Sequence, residues 1–385
     1  MKDVKHTTGL FLGKFAPYHK GHHSVIQKAV EECDHVYVIV YESDVTDIPL
    51  ATRAAWVRES WSPYKVTVLA GWNAPQDEGY TPAVMCIQER YVKGVLKAAG
   101  VKKIHRFYSS EAYGLHMSKA LGAKDIRVDM NRTRHAVSGT AIRSNPYKHR
   151  SKVDPRVYGD LVTKVLFLGA PSTGKTTLAA ALAKGYKTEW LPEYGREYWE
   201  ENKVDHRLVT DGLRCIQVEH KKRLAAALAK SNKYLFVDTA EITTALFGIY
   251  YDGGAIPWST GSFLRHSRSN IFTEELLVLD ARESMRNYDI VIVCDTDIPF
   301  EDTPDRSGPA SRPLMQRMTL DCLNAWKIPY YVVGGSDLKE RLARVSDILR
   351  AHKPGSSQLT YSVAAKRVHE LNRAQEEYVK KAGKK

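Results

Sequence analysis

Residues 165–179 read VLFLGAPSTGKTTLA, an apolar run followed by Gly169-x-x-x-x-Gly174-Lys175-Thr176 and then by residues that favour a helix. A strand that passes through such a loop into a helix constrains the fold strongly: the strand must lie in a parallel sheet, and the helix must cross back over it. The glycines let backbone N–H groups wrap around phosphates, and the helix N-terminus adds positive potential. Gly169, Ala170, Pro171, Ser172, Thr173, Gly174, Lys175, Thr176 and Thr177 therefore form a candidate ATP loop, with Lys175 placed to bridge the β- and γ-phosphates and Thr176 to hold Mg²⁺.

The same alternation of apolar and helical runs extends through the chain. Strands are expected at Thr8–Lys14, His35–Tyr41, Lys65–Ala70, Lys103–Tyr108 and Asp125–Asp129, with helices at His22–Glu32, Ala51–Ser60 and Pro82–Ala99 between them. Further strands are expected at Val165–Leu168, Tyr234–Asp238, Asp289–Asp295 and Tyr330–Gly334. Between the two sets lies Ser144–Thr163, which carries two prolines and several charges. A length of 385 residues at roughly 150 per domain allows two to three domains. The fold class is therefore α/β with mostly parallel sheets: a Rossmann-like domain over 1–150, a linker over 151–163, a P-loop domain over 164–350 and a basic tail over 351–385.

Composition narrows the function classes. Apolar runs such as Val36–Tyr41 and Ile290–Cys294 are far shorter than a membrane span requires, and Met1–Thr8 is polar, without the features of a secretory signal. Five scattered cysteines without a CxxC pair argue against a disulfide framework and point to a reducing, cytoplasmic compartment. The net charge of +13 favours anionic partners without choosing between nucleotides and nucleic acid. From Arg350 onward nine Lys/Arg face three Glu, and a solvated or loosely docked helix is favoured there over a nucleic-acid arm.

Asp238 ends the run Tyr-Leu-Phe-Val-Asp, so a buried strand would deliver its carboxylate beside the phosphate loop. It could bind Mg²⁺, accept a proton from an attacking hydroxyl, or cap the following helix. Residues 295–318 are rich in proline and arginine, and a lid there could bring Arg306, Arg312 or Arg317 onto the transferring phosphoryl group; the alternative is a solvated loop. The second domain spans only residues 164–350, which leaves little room for motor machinery and favours a small-molecule kinase.

Nearer the N-terminus, Gly9–His22 reads GLFLGKFAPYHKGH, which places His19 and His22 at a helix entrance where both imidazoles can reach one phosphate. Downstream, Ser138-Gly139-Thr140-Ala141-Ile142-Arg143 supplies two hydroxyls and a guanidinium suited to a triphosphate. Without further ligands the histidines do not make a zinc site.

GKFAPYHKGH together with SGTAIR resembles the nucleotidylyltransferase superfamily with the HxGH signature. The segment SSEAYGLHMSKALGAKDIRVDMNRTRHAVSGTAIR resembles the nicotinamide mononucleotide adenylyltransferase part of the bifunctional NadR-type family. GAPSTGKTTL, PEYGREY (192–198), VDTAEITT (237–244) and DTDIPFEDTPDR resemble that family's ribosylnicotinamide kinase part, so the similarity runs over about residues 8–350 in the same order. The resemblance implies that His19 and His22 are the signature histidines and that Lys14, Phe15, Ser138, Thr140 and Arg143 belong to an ATP site. It also implies that Asp129 and Arg132 lie near that cleft and that Glu193 and Arg196 are substrate-side residues of the kinase. Trp72 is a stacking surface for nicotinamide or a core residue, and Trp258 and Phe300 sandwich the ring or pack in the core. The implied ligands are ATP, nicotinamide riboside, nicotinamide mononucleotide and NAD, with Mg²⁺. Neither a membrane nor nucleic acid is an expected partner, and a homo-oligomer is compatible. Only seven residues precede the first strand, so the helix-turn-helix repressor domain of longer relatives is not expected. The rivals are a nucleoside kinase joined to an adenylyltransferase for another phosphorylated vitamin, and a nucleotide-sensing regulator that binds nucleic acid.

Overall fold

The computed structural model describes residues 6–76, 79–111, 113–131, 133–202, 210–251, 271–301 and 311–352. The chain divides into two compact units, 1–161 and 162–385. The first runs β1 (Thr8–Gly13), α1 (Lys20–Glu32), β2 (His35–Tyr41), α2 (Leu50–Ser60), β3 (Val66–Gly71), α3 (Pro82–Ala98), β4 (Arg106–Ser109), α4 (Gly114–Leu121), β5 (Lys124–Arg127), α5 (Gly139–Ser144) and α6 (Pro155–Leu161). Its five strands lie in the order β3-β2-β1-β4-β5, with every pairing parallel. Leu10, Phe11 and Leu12 of β1 are all buried, as a strand covered by helices on both faces requires. The strand order reverses at β1, where a crevice opens beyond the carboxyl ends of the strands.

The second unit repeats this logic with β6 (Thr163–Leu168), α7 (Lys175–Tyr186), β7 (Trp190–Leu191), α8 (Tyr194–Asn202), α9 (Thr210–Lys230), β8 (Tyr234–Asp238), α10 (Glu241–Tyr251), α11 (Ile271–Ser284), β9 (Ile290–Cys294), α12 (Arg312–Ala325), β10 (Tyr331–Val333) and α13 (Leu338–Ala351). Its order is β10-β9-β6-β8-β7, again parallel throughout. Both units thus have the expected α/β class. The two-residue β7 was not expected, because a pair this short carries no periodicity of its own and exists by pairing with Phe236 and Val237.

The division falls at 161/162 rather than at 150. Pro155 opens α6, Val157 and Tyr158 are buried, and Trp56 Nε1 donates to Asp160 Oδ2 at 2.7 Å, so most of the stretch expected as linker packs into the first unit. Thr163 already belongs to β6. Trp258, Arg132, Arg306 and the tail beyond residue 352 lie outside the described residues.

Phe167 sits wholly buried in β6, packed with Leu178, Phe236 and Ile292. Phe167→Ala is expected to cost about 3–5 kcal/mol. Urea unfolding of the full chain should show the second unit's transition moving to lower denaturant while the first unit's stays in place.

Candidate functional site

In the first unit a cavity of about 600 Å³ opens where β1 meets the entrance of α1. Lys14, Phe15, His19, His22, Asp129, Ser138, Thr140 and Arg143 all line it, so residues more than a hundred positions apart share one wall. His19 is the N-cap of α1: its Nδ1 accepts from the backbone N–H of His22 at 3.4 Å, and the two rings stack at 3.7 Å. That packing presents both imidazoles at a helix N-terminus, where an anion is favoured. Phe15, buried and at φ +48°, lays its ring 4.8 Å from that of His22 and fixes it from below.

The SGTAIR segment folds against the same loop. Ser138 caps α5 by accepting from the Ala141 N–H at 3.1 Å, and Arg143 donates to the Ala16 carbonyl at 2.5 Å and to the Thr140 hydroxyl at 3.3 Å. A Cβ on Gly139 would stand 2.8 Å from that Ala16 carbonyl, so only glycine permits the approach. Asp129, at φ +49°, accepts from the backbone of Thr133, Arg134 and His135. Desolvation would raise its pKa, but these donors outweigh it and hold the carboxyl below its ordinary value. Asp129 thereby shapes the loop that leads into Ser138. Trp72 is 56% exposed and does not line the cavity; its carbonyl accepts from Tyr91 at 3.2 Å. It is therefore not a core residue.

Sequence reasoning missed Arg53. This buried guanidinium donates to the carbonyls of Lys14, of Tyr41 at 2.9 Å and of Ile48 at 3.0 Å, tying the ends of β1 and β2 together beneath the cavity. Burial lowers its pKa, with Glu42 and Tyr41 opposing. Its position on an otherwise apolar face of α2, with Ala54, Trp56 and Val57 also buried, was the available signal.

In the second unit a cavity of about 390 Å³ is lined by the phosphate loop, Glu193, Arg196 and residues of α9 and α10. Gly169, at φ +132°, passes so close to β9 that a Cβ would meet the Cys294 carbonyl at 2.6 Å. Lys175 donates to the carbonyls of Gly169 at 3.1 Å and Ala170 at 2.9 Å. Ala170 and Thr173 are structural members of the loop. The Ala170 N–H donates to Gln316 Oε1 at 2.8 Å, and wholly buried Thr173 donates its hydroxyl to the Ala170 carbonyl at 2.8 Å.

Asp238 lies 1% exposed at the end of β8, where its Oδ2 accepts from the Thr176 hydroxyl at 2.5 Å. Burial raises its pKa, with Lys175, Thr176 and Arg196 opposing. Its Oδ1 is buried with no hydrogen-bond partner. An orphaned carboxylate oxygen beside a threonine hydroxyl and a phosphate loop fits a hard divalent cation that takes its remaining ligands from phosphates and water. Among the described residues no three His, Cys, Asp or Glu side chains gather to hold a metal by themselves.

Two of the three arginines proposed for a lid, Arg312 and Arg317, lie among the described residues. Arg312 opens α12 and donates from one nitrogen to the carbonyls of Ser172 at 3.0 Å and Ile298 at 2.9 Å, while Arg317 is exposed and pairs with Asp321 at 3.5 Å. Phe300 lies against the Arg312 guanidinium, 5.8 Å to its centroid, and does not line the cavity. Buried Arg341, also missed, donates to the Thr173 carbonyl at 2.7 Å and pairs with Asp297.

A family model described as an AAA domain matches residues 164–341, and one described as a citrate lyase ligase C-terminal domain matches residues 11–71. The trifunctional NAD biosynthesis/regulator protein NadR of Escherichia coli (strain K12) is 26% identical over 367 residues, covering 90% of this chain and 83% of the relative. The corresponding protein of Salmonella typhimurium is 25% identical over 363 residues, covering 89% and 82%. The chain is a homologue of NadR. A crystal structure of NadR protein in complex with NR matches with a TM-score of 0.55 at 22% identity, covering 90% of this chain and 96% of that one. Another, in complex with NAD and AMP-PNP, matches at 0.54 and 22%, covering 90% and 97%. At these identities the NadR structures establish a common fold through both units.

Gly139→Ala is expected to lower turnover in the first unit at least ~10-fold, because a displaced loop misaligns the reacting groups, while turnover in the second is kept; separate assays check this. Arg312→Met should raise the KM for ATP more than it lowers kcat if the side chain supports the loop, whereas a lid arginine would do the reverse.

Proposed function

We propose that the chain makes NAD in two steps. The second unit transfers the γ-phosphoryl group of ATP to the 5′-hydroxyl of nicotinamide riboside, giving nicotinamide mononucleotide and ADP. In the first unit the phosphate of that mononucleotide attacks the α-phosphorus of another ATP, giving NAD and pyrophosphate. The observation that supports this reading is the presence in one chain, similar to NadR over 90% of its length, of two cavities, one lined by the phosphate loop and one by His19, His22, Ser138, Thr140 and Arg143.

In the second unit the loop N–H groups and Lys175 take the β- and γ-phosphates, and Glu193 and Arg196 meet the ribose side of the acceptor. Thr176 and Asp238 would hold Mg²⁺, which when bound would supply neutralisation of phosphate charge. Asp238 is also placed at the strand end from which a carboxylate can orient the attacking hydroxyl. In the first unit His19, His22 and the helix N-terminus face the α-phosphate, while Ser138, Thr140 and Arg143 hold the departing pyrophosphate. Both reactions are in-line displacements driven by alignment and charge neutralisation, and neither needs a covalent enzyme intermediate. The compartment we assign is the cytoplasm, on the strength of five free thiols, of which Cys86 and Cys215 are exposed.

Purified protein incubated with nicotinamide riboside, ATP and Mg²⁺ should yield the mononucleotide first and NAD afterwards by mass spectrometry. Lys175→Ala should abolish the first product yet still convert supplied mononucleotide, and His22→Ala should do the opposite. Loss of both conversions in either folded variant would show that the sites are not separable.

A further inference from the structure

Away from the phosphate loop, the cavity of the second unit is walled by Leu213, Ile216 and His220 of α9 and by Thr244, Leu246 and Phe247 of α10. Leu213, Ile216 and His220 follow at intervals of three and four, so one face of α9 supplies them. His220 is buried, and its Nε2 lies 3.1 Å from the Tyr288 hydroxyl, which leaves Nδ1 as the nitrogen it can offer the cavity. One turn earlier Gln217 donates to the backbone carbonyl of Glu241 and to that of Leu277, both at 3.1 Å, locking the start of α10 against α9.

Glu241 itself is 1% exposed, and its Oε2 is buried with no hydrogen-bond partner. Among the described residues no lysine or arginine forms an ion pair with it. Glu241 stands in the first turn of α10, where the helix N-terminus favours negative charge, and burying it without a cationic side chain is costly. The groups that act on His220 are Glu241 from α10 and Lys221 from its own helix, with Tyr288 bonded to it from beyond α11. Burial lowers the pKa of His220, Glu241 opposes and Lys221 adds, so the ring is neutral near neutral pH and does not itself neutralise Glu241.

We propose that Glu241, buried behind the His220 wall of the cavity, selects an aromatic acceptor that carries a permanent positive charge. The inference rests on the reading of the second unit as a nicotinamide riboside kinase. The pyridinium ring of that nucleoside is cationic at every pH, whereas the bases of ordinary nucleosides are neutral. A negative field from behind the wall favours the cation without touching it, and a buried charge is screened less by water than an exposed one. Glu241 is thus a specificity-determining residue, distinct from the groups that align the phosphates.

The test compares nicotinamide riboside with its neutral isostere, benzamide C-riboside, in which carbon replaces the ring nitrogen. In the unaltered protein kcat/KM should favour the cation by at least ~10-fold. Glu241→Gln should collapse the preference to within about threefold by raising KM for the cation alone, while kcat and the KM for ATP stay near their original values. Glu241→Asp, which keeps the charge, should retain most of the preference. Parity between the two acceptors in the unaltered protein overturns the proposal whatever the variants do, and so does a preference that survives in folded Glu241→Gln. If neither riboside is phosphorylated, the kinase reading fails, an outcome distinct from either of these.

Discussion

A loop that turns its N–H groups toward an anion must turn its carbonyls the other way, and those carbonyls need donors where water cannot reach. Both units meet this constraint in the same manner, with guanidinium groups. Arg53 and Arg143 take the carbonyls of Lys14 and Ala16 in the loop that precedes His19. Arg312 and Arg341 take those of Ser172 and Thr173 in the phosphate loop, and Lys175 takes those of Gly169 and Ala170. An arginine suits the task because one planar group can serve several acceptors at fixed angles.

Backbone strain accompanies these loops and their neighbours. Phe15, Asp129, Ser172 and Thr239 all sit at positive φ, a conformation that costs a side-chain-bearing residue of order 1–3 kcal/mol, and each lies in a loop at the carboxyl edge of a sheet or just beyond it. Their neighbours over-determine them: the Phe15 ring is buried against that of His22, Asp129 receives backbone donors, and the Ser172 hydroxyl accepts from the Glu301 N–H at 2.8 Å. Strain held in this way keeps each cradle shaped before a nucleotide arrives, so binding energy is not spent on ordering it.

Much of the molecule was legible in the chain. The glycine spacing around Lys175 and the buried run before it demand a strand, loop and helix in that order, and β8 ends at Asp238 as its apolar run requires. The HxGH and SGTAIR segments are informative locally, and they meet in one cavity. Two arginines of residues 295–318 show what local pattern leaves undecided. Arg312 and Arg317 lie five residues apart in a stretch judged by its proline and arginine content, yet Arg312 is buried against the phosphate loop while Arg317 faces solvent. Which side of α12 each one takes is set by the packing of that helix, and a short proline-bounded segment does not announce it.

The sequence by itself therefore determined what depends on neighbours in the chain: the phosphate loop, the histidine cap, the alternation that makes two parallel sheets, and the thiol pattern. Tertiary structure decided which distant groups complete them. Arg341 reaches Thr173 across 168 positions and Gln316 reaches Ala170 across 146, while Gln217 meets the Glu241 carbonyl through the packing of α9 on α10. The physical reason is range. A cap or a glycine turn is satisfied within a few residues, whereas a carbonyl turned inward takes whatever donor the folded core brings to it.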